Sequence, residues 1–166
     1  MVKKYSELYR DARKFLLPID GPHQAGVTAR ELLQFVSGKS AAELLADGEK
    51  YADTSVIVAL EKCLERMEKG EPLAYILGEW EFYGLKLIVT PDVLIPRDDT
   101  CALAETAIRQ ALFLDPNPRI LDLCTGSGCI GIALASRVKD AKITLADLSR
   151  EALAVAKKNV QLHQVL

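Results

Sequence analysis

The sequence has no excess of basic residues, and this absence limits the kinds of partner it can have. Its 166 residues include 21 lysines and arginines against 23 acidic residues, which gives a formal net charge of −2. The balance holds along the chain, since residues 1–70 contain 11 basic and 11 acidic side chains and residues 71–166 contain 10 and 12. A nucleic-acid-binding module normally carries a clustered basic surface, so direct binding of nucleic acid is not expected.

Metal-ligand patterns and activated thiols are also missing. The chain has two histidines and four cysteines, and no two cysteines form a C-x-x-C pair. Zinc sites need closely spaced cysteines and histidines, so no metal site is predicted. No cysteine has an adjacent histidine that could act as its base, which argues against thiol catalysis. Unpaired thiols are typical of a reducing compartment.

Long hydrophobic runs are absent as well. Charged residues interrupt the apolar positions at the start of the chain, unlike the uncharged core of a secretory signal. No apolar stretch approaches the ~20 residues that a membrane-spanning helix needs. We therefore expect a cytoplasmic protein that makes no contact with a membrane.

The first seventy residues have the patterning of a small helical bundle. Apolar residues recur at helical spacing from Tyr5 to Leu16, and Pro18 followed by Gly21-Pro22 is expected to end that helix. Ser or Thr followed three residues later by Glu is typical of a helix N-terminus. The further helices are predicted to begin near Thr28, Ser40 and Thr54, and the last of them to end at Gly70.

After Gly70 the pattern changes to that of a mixed α/β protein. Residues 79–83 and 85–89 are rich in β-forming side chains on either side of Gly84, which predicts a hairpin. From Arg119 onward, strand-like and helix-like segments alternate, and this order predicts a parallel sheet. The expected division is a helical bundle over 1–70, a hairpin linker over 71–97 and an α/β domain over 98–166.

A glycine-rich turn follows the first of these later strands. Gly126, Gly128 and Gly131 form G-x-G-x-x-G, and Asp147 stands 21 positions after the first of them. This spacing fits a dinucleotide-binding turn with an acid for the ribose. The turn has no Gly-Lys-Ser/Thr sequence, which excludes a Walker-type phosphate loop.

The charge beside the glycine turn favours a different cofactor. Asp122 ends the preceding strand, four residues before Gly126. A carboxylate there is unfavourable beside a pyrophosphate but favourable beside a cationic ligand. S-adenosylmethionine carries a sulfonium and an ammonium group and no phosphate. The pair of Asp122 and Asp147 therefore favours S-adenosylmethionine over NAD, although the glycine pattern alone allows both.

Four motifs in order give the chain a resemblance to a known family. The sequence resembles the PrmC/HemK protein-glutamine methyltransferases, which modify the glutamine in the Gly-Gly-Gln loop of peptide-chain release factors. That resemblance implies a helical N-terminal domain that recognises the release factor, a hairpin linker and the start of a Rossmann-like, S-adenosylmethionine-dependent catalytic domain. The motifs are Gly70–Gly78, Glu81–Leu85, Val93–Arg97 and Asp122–Gly128.

The resemblance also implies roles for individual residues. Asp122 would face the amino-acid end of S-adenosylmethionine, Asp147 would bind its ribose, and Ile95–Arg97 would form part of the pocket rim. The family often has glycine where this chain has Cys124, so only the backbone of Cys124 is expected to matter. The cofactor-binding residues implied are Asp122, Cys124, Thr125, Gly126, Ser127, Gly128 and Asp147.

The family's catalytic segment, Asn-Pro-Pro-Tyr, does not occur in the 166 residues. In the family this segment orients the side-chain amide of the substrate for attack on the methyl group. We therefore expect the chain to be an N-terminal fragment without a catalytic residue and inactive on its own. Two other functions stay open at this stage: an NAD-dependent oxidoreductase, and a non-catalytic module that binds a release factor.

Overall fold

The computed structural model describes residues 2–114 and 116–165, which fall into two compact units, Met1–Leu77 and Gly78–Leu166. Within the described residues, neither unit contains a helix that is long and apolar enough to cross a membrane. The division places the hairpin segment in the second unit. The functional roles expected for 1–70, 71–97 and 98–166 remain predictions.

The first unit is built from helices. Its central helix, α1, is interrupted at Gly21, which has φ 76° and ψ 172° and lies between two prolines. The expected helix start at Thr28 is wrong, because helix continues through that position and Thr28 is buried. Proline is tolerated in the first turn of a helix, so the second segment of α1 can begin at Pro22, directly after the break at Gly21. The helices are α1 Tyr5–Ser37, α2 Ala41–Ala46, α3 Thr54–Glu68 and α4 Leu73–Leu77.

The other expected starts in this unit are confirmed. Ser40 caps α2 through a reciprocal pair of hydrogen bonds with Glu43, and α3 begins at Thr54. The apolar faces of α1 and α3 pack against each other to form the core. Its most deeply buried side chains include Leu16, Leu32 and Leu33.

The second unit begins with the predicted hairpin. Strands β1, Glu79–Phe82, and β2, Leu85–Ile88, pair in antiparallel fashion with Phe82 opposite Leu85. Tyr83 and Gly84 form the two-residue turn and both have left-handed φ angles, of 53° and 74°. Two such angles in succession define a type I′ turn, which matches the twist of the flanking strands.

The remainder of the second unit has the predicted α/β order. Strands β3 and β4 run parallel, with Ile120 opposite Ile143 and Asp122 opposite Leu145. Helix α6 packs on one face of this pair, while Leu121 and Leu123 on the other face are 61% and 69% exposed. The elements are α5 Asp98–Leu114, β3 Arg119–Leu123, α6 Cys129–Arg137, β4 Lys142–Ala146 and α7 Arg150–His163.

The predicted fold class is confirmed by this architecture. A helical N-terminal part, a short antiparallel hairpin and a parallel two-stranded sheet with helices agree with a truncated Rossmann-like domain. Because parallel strands end at the same edge, the segments after β3 and β4 lie side by side. This edge carries the residues predicted to bind a cofactor.

Candidate cofactor site

The glycine turn connects β3 to α6 at the carboxyl edge of the parallel strands. Its Thr125 N–H donates to the carbonyl of Ala146, the last residue of β4, at 3.0 Å. Within the turn, the Gly128 N–H donates to the Thr125 carbonyl at 2.9 Å. The first hydrogen bond ties the turn to β4, and the second closes the turn on itself.

The glycines of the turn serve different purposes. Gly126 and Gly128 have φ angles of 55° and 82°, in the left-handed region that favours glycine. An added Cβ at Gly131 would overlap the side chain of Leu145, whereas one at Gly126 would meet nothing within 4 Å. Gly131 therefore allows α6 to pack closely on β4, and Gly126 faces open space.

The carboxylate of Asp122 is held at the N-terminus of α6. Its Oδ2 accepts hydrogen bonds from Thr125 Oγ1 at 2.7 Å and from the Gly131 N–H at 3.0 Å. A negative charge is stabilised at this end of a helix, where N–H groups and the helix dipole point toward it. Asp122 thus shapes the turn and adds negative charge beside it.

Asp147 reaches the same turn from the end of β4. Its Oδ2 accepts from the Gly126 N–H at 2.8 Å and its Oδ1 accepts from the Ser149 N–H at 3.0 Å. These backbone hydrogen bonds, first the one from Gly126 and then the one from Ser149, hold the pKa of Asp147 below its usual range. The two predicted acids are therefore brought to one turn, and Asp147 is ionised at neutral pH.

The remaining predicted residues lie in the same turn. Ser127 is only 2% exposed, and its Oγ is buried without a hydrogen-bond partner in the described part of the chain. Cys124 is exposed and has a left-handed φ of 60°, which is unusual for a residue other than glycine. Cys129, on α6, is buried, and this burial raises the pKa of its thiol. A thiol with a raised pKa is a poor nucleophile at neutral pH.

The space and the charge at the glycine turn determine which cofactor it fits. The open space at Gly126 leaves room for a ligand pressed against the backbone. The carboxylate of Asp122, at the N-terminus of α6, repels a pyrophosphate and attracts a cation, whereas Asp147 suits the ribose of either cofactor. Among residues 2–114 and 116–165 no three metal-ligating side chains come together. The residues present therefore fit a cationic nucleoside better than a dinucleotide.

One buried polar residue beside the turn was missed by the sequence analysis. Asn159 on α7 is 0% exposed and forms hydrogen bonds to Ile88 of β2 and to the carbonyl of Ser127. The sequence does contain a signal for it. Asn159 follows Val155 and Ala156 at helical spacing, so a polar side chain stands on an otherwise apolar face.

The fold and the site define a class, an α/β domain in which a glycine turn lies between two acids at the carboxyl edge of parallel strands. Comparison with known proteins agrees: residues 7–78 match the PrmC N-terminal domain and residues 102–166 match the methyltransferase small domain. These two matches confirm the resemblance to the PrmC methyltransferases that the four motifs predicted. A match to a methyltransferase domain implies a methyl donor of the S-adenosylmethionine type.

Individual relatives support the same assignment. The release factor glutamine methyltransferase of Haemophilus influenzae is 39% identical, in an alignment that covers 97% of this chain and 59% of that protein. The Escherichia coli K12 protein of the same name is 37% identical over 95% of this chain and 55% of its own length. The Vibrio cholerae protein of that name is 41% identical, in an alignment that covers 84% of this chain and 48% of that protein. The chain thus spans about half the length of these relatives.

Proposed function

We propose that this chain supplies the methyl-donor site and the substrate-recognition unit of a release factor glutamine methyltransferase. The reaction is N5-methylation of the glutamine in the Gly-Gly-Gln loop, with S-adenosylmethionine as the donor. The names of the relatives and their similarity across both units support this proposal. The observation that carries it is the pair of acids, Asp122 and Asp147, hydrogen-bonded to one glycine turn.

Within the donor site, each residue has a role that follows from its placement. Asp147 hydrogen-bonds the ribose hydroxyls, and Asp122 lies toward the amino-acid cation. Cys124, Thr125, Gly126, Ser127 and Gly128 contact the ligand mainly through their backbone. Leu148, which is 100% exposed beside Asp147, offers an apolar contact for the base.

When bound, S-adenosylmethionine supplies an electrophilic methyl group on its sulfonium. The residues of this chain hold and orient that donor, and none of them is assigned to the transfer step. Orienting two reactants accounts for a large share of the rate gain in such reactions. We expect the chain by itself to bind the donor without modifying a release factor.

The first unit is the part assigned to recognition of the release factor. It carries a groove of about 750 Å³, lined on one side by Tyr5 and Tyr9 and including Arg10 and Arg30. Leu45, also in its lining, is 86% exposed. Aromatic and arginine side chains beside exposed apolar surface are typical of protein-binding sites. The hairpin segment, 71–97, acts as the linker to the donor domain.

Titration calorimetry of the 166-residue chain tests the donor assignment. We expect S-adenosylmethionine to bind and NAD to fail to compete with it, because the Asp122 carboxylate at the turn disfavours a pyrophosphate. Asp147→Asn should weaken binding, since an amide replaces one acceptor oxygen of the carboxylate with a donor nitrogen and removes its charge. Asp140→Asn, a matched change outside the site, should leave binding unchanged. Binding of NAD without S-adenosylmethionine would overturn the proposal in favour of an oxidoreductase.

A further inference from the structure

The side-chain amide of Asn159 joins three elements of the second unit. Asn159 lies on α7 and is completely buried. Its Oδ1 accepts from the Ile88 N–H at 2.7 Å, and its Nδ2 donates to the Ile88 carbonyl and to the Ser127 carbonyl, both at 2.9 Å. An amide has two N–H groups to donate, and both are used here.

Toward the hairpin, this amide takes the place of a neighbouring strand. In the described sheet β2 pairs only with β1, so its other edge has backbone groups that need partners. Asn159 satisfies both backbone groups of Ile88. Two residues earlier on the same strand, His163 Nε2 donates to the Lys86 carbonyl at 2.7 Å. Helix α7 therefore covers this edge of the hairpin with polar side chains.

Toward the glycine turn, the amide fixes the peptide group between Ser127 and Gly128. The Ser127 carbonyl accepts from Asn159, and the Gly128 N–H of the same peptide donates to the Thr125 carbonyl at 2.9 Å. Gly126 and Gly128, on either side of Ser127, both have left-handed φ angles. Because glycines are conformationally free, a peptide held at both ends is what keeps this turn in one conformation.

We propose that Asn159 is a positioning residue for the donor site, which holds the backbone of the glycine turn by tying it to the hairpin. The expected effect of Asn159 on cofactor binding rests on the proposed function. It also connects the hairpin to the donor site, because any change that displaces Ile88 removes a partner from the amide that holds Ser127. An aspartate cannot replace Asn159, since it has no N–H to donate and would set a carboxylate against two carbonyl oxygens.

The test compares two amide-to-acid changes on one helix. Asn159→Asp removes the two donors, whereas Gln161→Glu makes the same chemical change at an exposed position of α7. Hydrogen exchange of backbone amides is measured by peptide in the 166-residue chain. We expect Asn159→Asp to speed exchange in residues 124–131 and 85–89 and to leave α5 unchanged. We also expect it to weaken S-adenosylmethionine binding roughly tenfold, and Gln161→Glu to do neither.

Exchange and binding separate this inference from the proposed function. Unchanged exchange in residues 124–131, or an equal rise throughout α5, overturns the positioning role, because the second result is general destabilisation. Failure of the unsubstituted chain to bind S-adenosylmethionine overturns the proposed function, while the exchange comparison still decides the role of Asn159. If Asn159→Asp does not fold, Asn159→Ala is read by the same criteria, since it removes the donors without adding charge.

Discussion

At the scale of single residues, the glycine turn combines a packing requirement with a binding requirement. Gly131 leaves no space for a side chain against Leu145, whereas Gly126 faces open space. Both are glycines of one motif, and only the structure separates their purposes. This separation predicts that the same substitution mainly lowers stability at Gly131 and mainly weakens ligand binding at Gly126.

Gly131→Ala should lower the free energy of unfolding of the second unit by about 1–3 kcal/mol, the usual cost of overpacking. Gly126→Ala should cost only about 1 kcal/mol, because its methyl group meets no protein atom and only the left-handed φ of 55° strains the alanine. It should, however, weaken S-adenosylmethionine binding by filling ligand space. Thermal unfolding and calorimetric binding measure the two effects. Equal losses of stability in both variants would contradict the assignment.

Cys124 has a left-handed backbone that suits glycine better than cysteine. The left-handed conformation costs a residue with a Cβ about 1–2 kcal/mol. Glycine loses more backbone conformational entropy on folding than alanine, at a cost of about 0.5–1 kcal/mol. Cys124→Gly should therefore match the original stability or exceed it by up to about 1.5 kcal/mol. Cys124→Ala retains the strain and should show no gain. Denaturant unfolding of both variants makes the comparison, and a more stable alanine variant would contradict it.

At the scale of elements, the sequence predicted the helix starts and strands that depend on local signals. The capping box at Ser40 and the strands around residues 120 and 143 are confirmed. Thr28 has the same capping spacing as Ser40, but Pro22 begins the helix earlier and the Thr28 side chain is buried in the core. Local capping signals are weaker than the gain from extending a helix into a packed core.

Tyr83 shows a second limit of local prediction. A type I′ turn favours asparagine or glycine at this position, and tyrosine gives no sequence signal for it. Tyr83 packs against the core of the second unit, and the Arg137 guanidinium lies 5.6 Å from its ring centre. Tertiary contacts therefore offset the strained backbone. The same reason applies to Asn159, whose partners lie 32 and 71 residues away in sequence.

The stability of the second unit should depend on pH through Asp147, which lies between β4 and α7. Hydrogen bonds from Gly126 and Ser149 lower its pKa in the folded state. Its stabilising effect is therefore fully present above the pKa of the unfolded state, about 3.9, and is lost as pH falls through the folded value. Asp147→Asn should be less stable than the original chain near pH 7, and the difference should shrink below about pH 4. A difference that stays constant from pH 7 to pH 3 would contradict this account.

At the scale of the whole molecule, each unit has its own hydrophobic core. Among residues 2–114 and 116–165, the cluster of the first unit comprises residues between Tyr5 and Leu77, and two clusters of the second unit comprise residues between Phe82 and Val165. The predicted cofactor site lies entirely in the second unit. Units with separate cores can unfold in separate steps.

Ligand binding to the second unit and a substitution in the core of the first unit should therefore affect different unfolding transitions. S-adenosylmethionine at 100 times its Kd should raise the stability of the second unit by about 2.7 kcal/mol and leave the first unchanged. Leu32→Ala, at a completely buried position of the first unit, should lower the free energy of unfolding of the first unit alone, by about 2–5 kcal/mol. Differential scanning calorimetry with and without ligand measures both. A single transition that responds to both changes would show that the two units unfold together, because binding to one unit would then stabilise the whole chain.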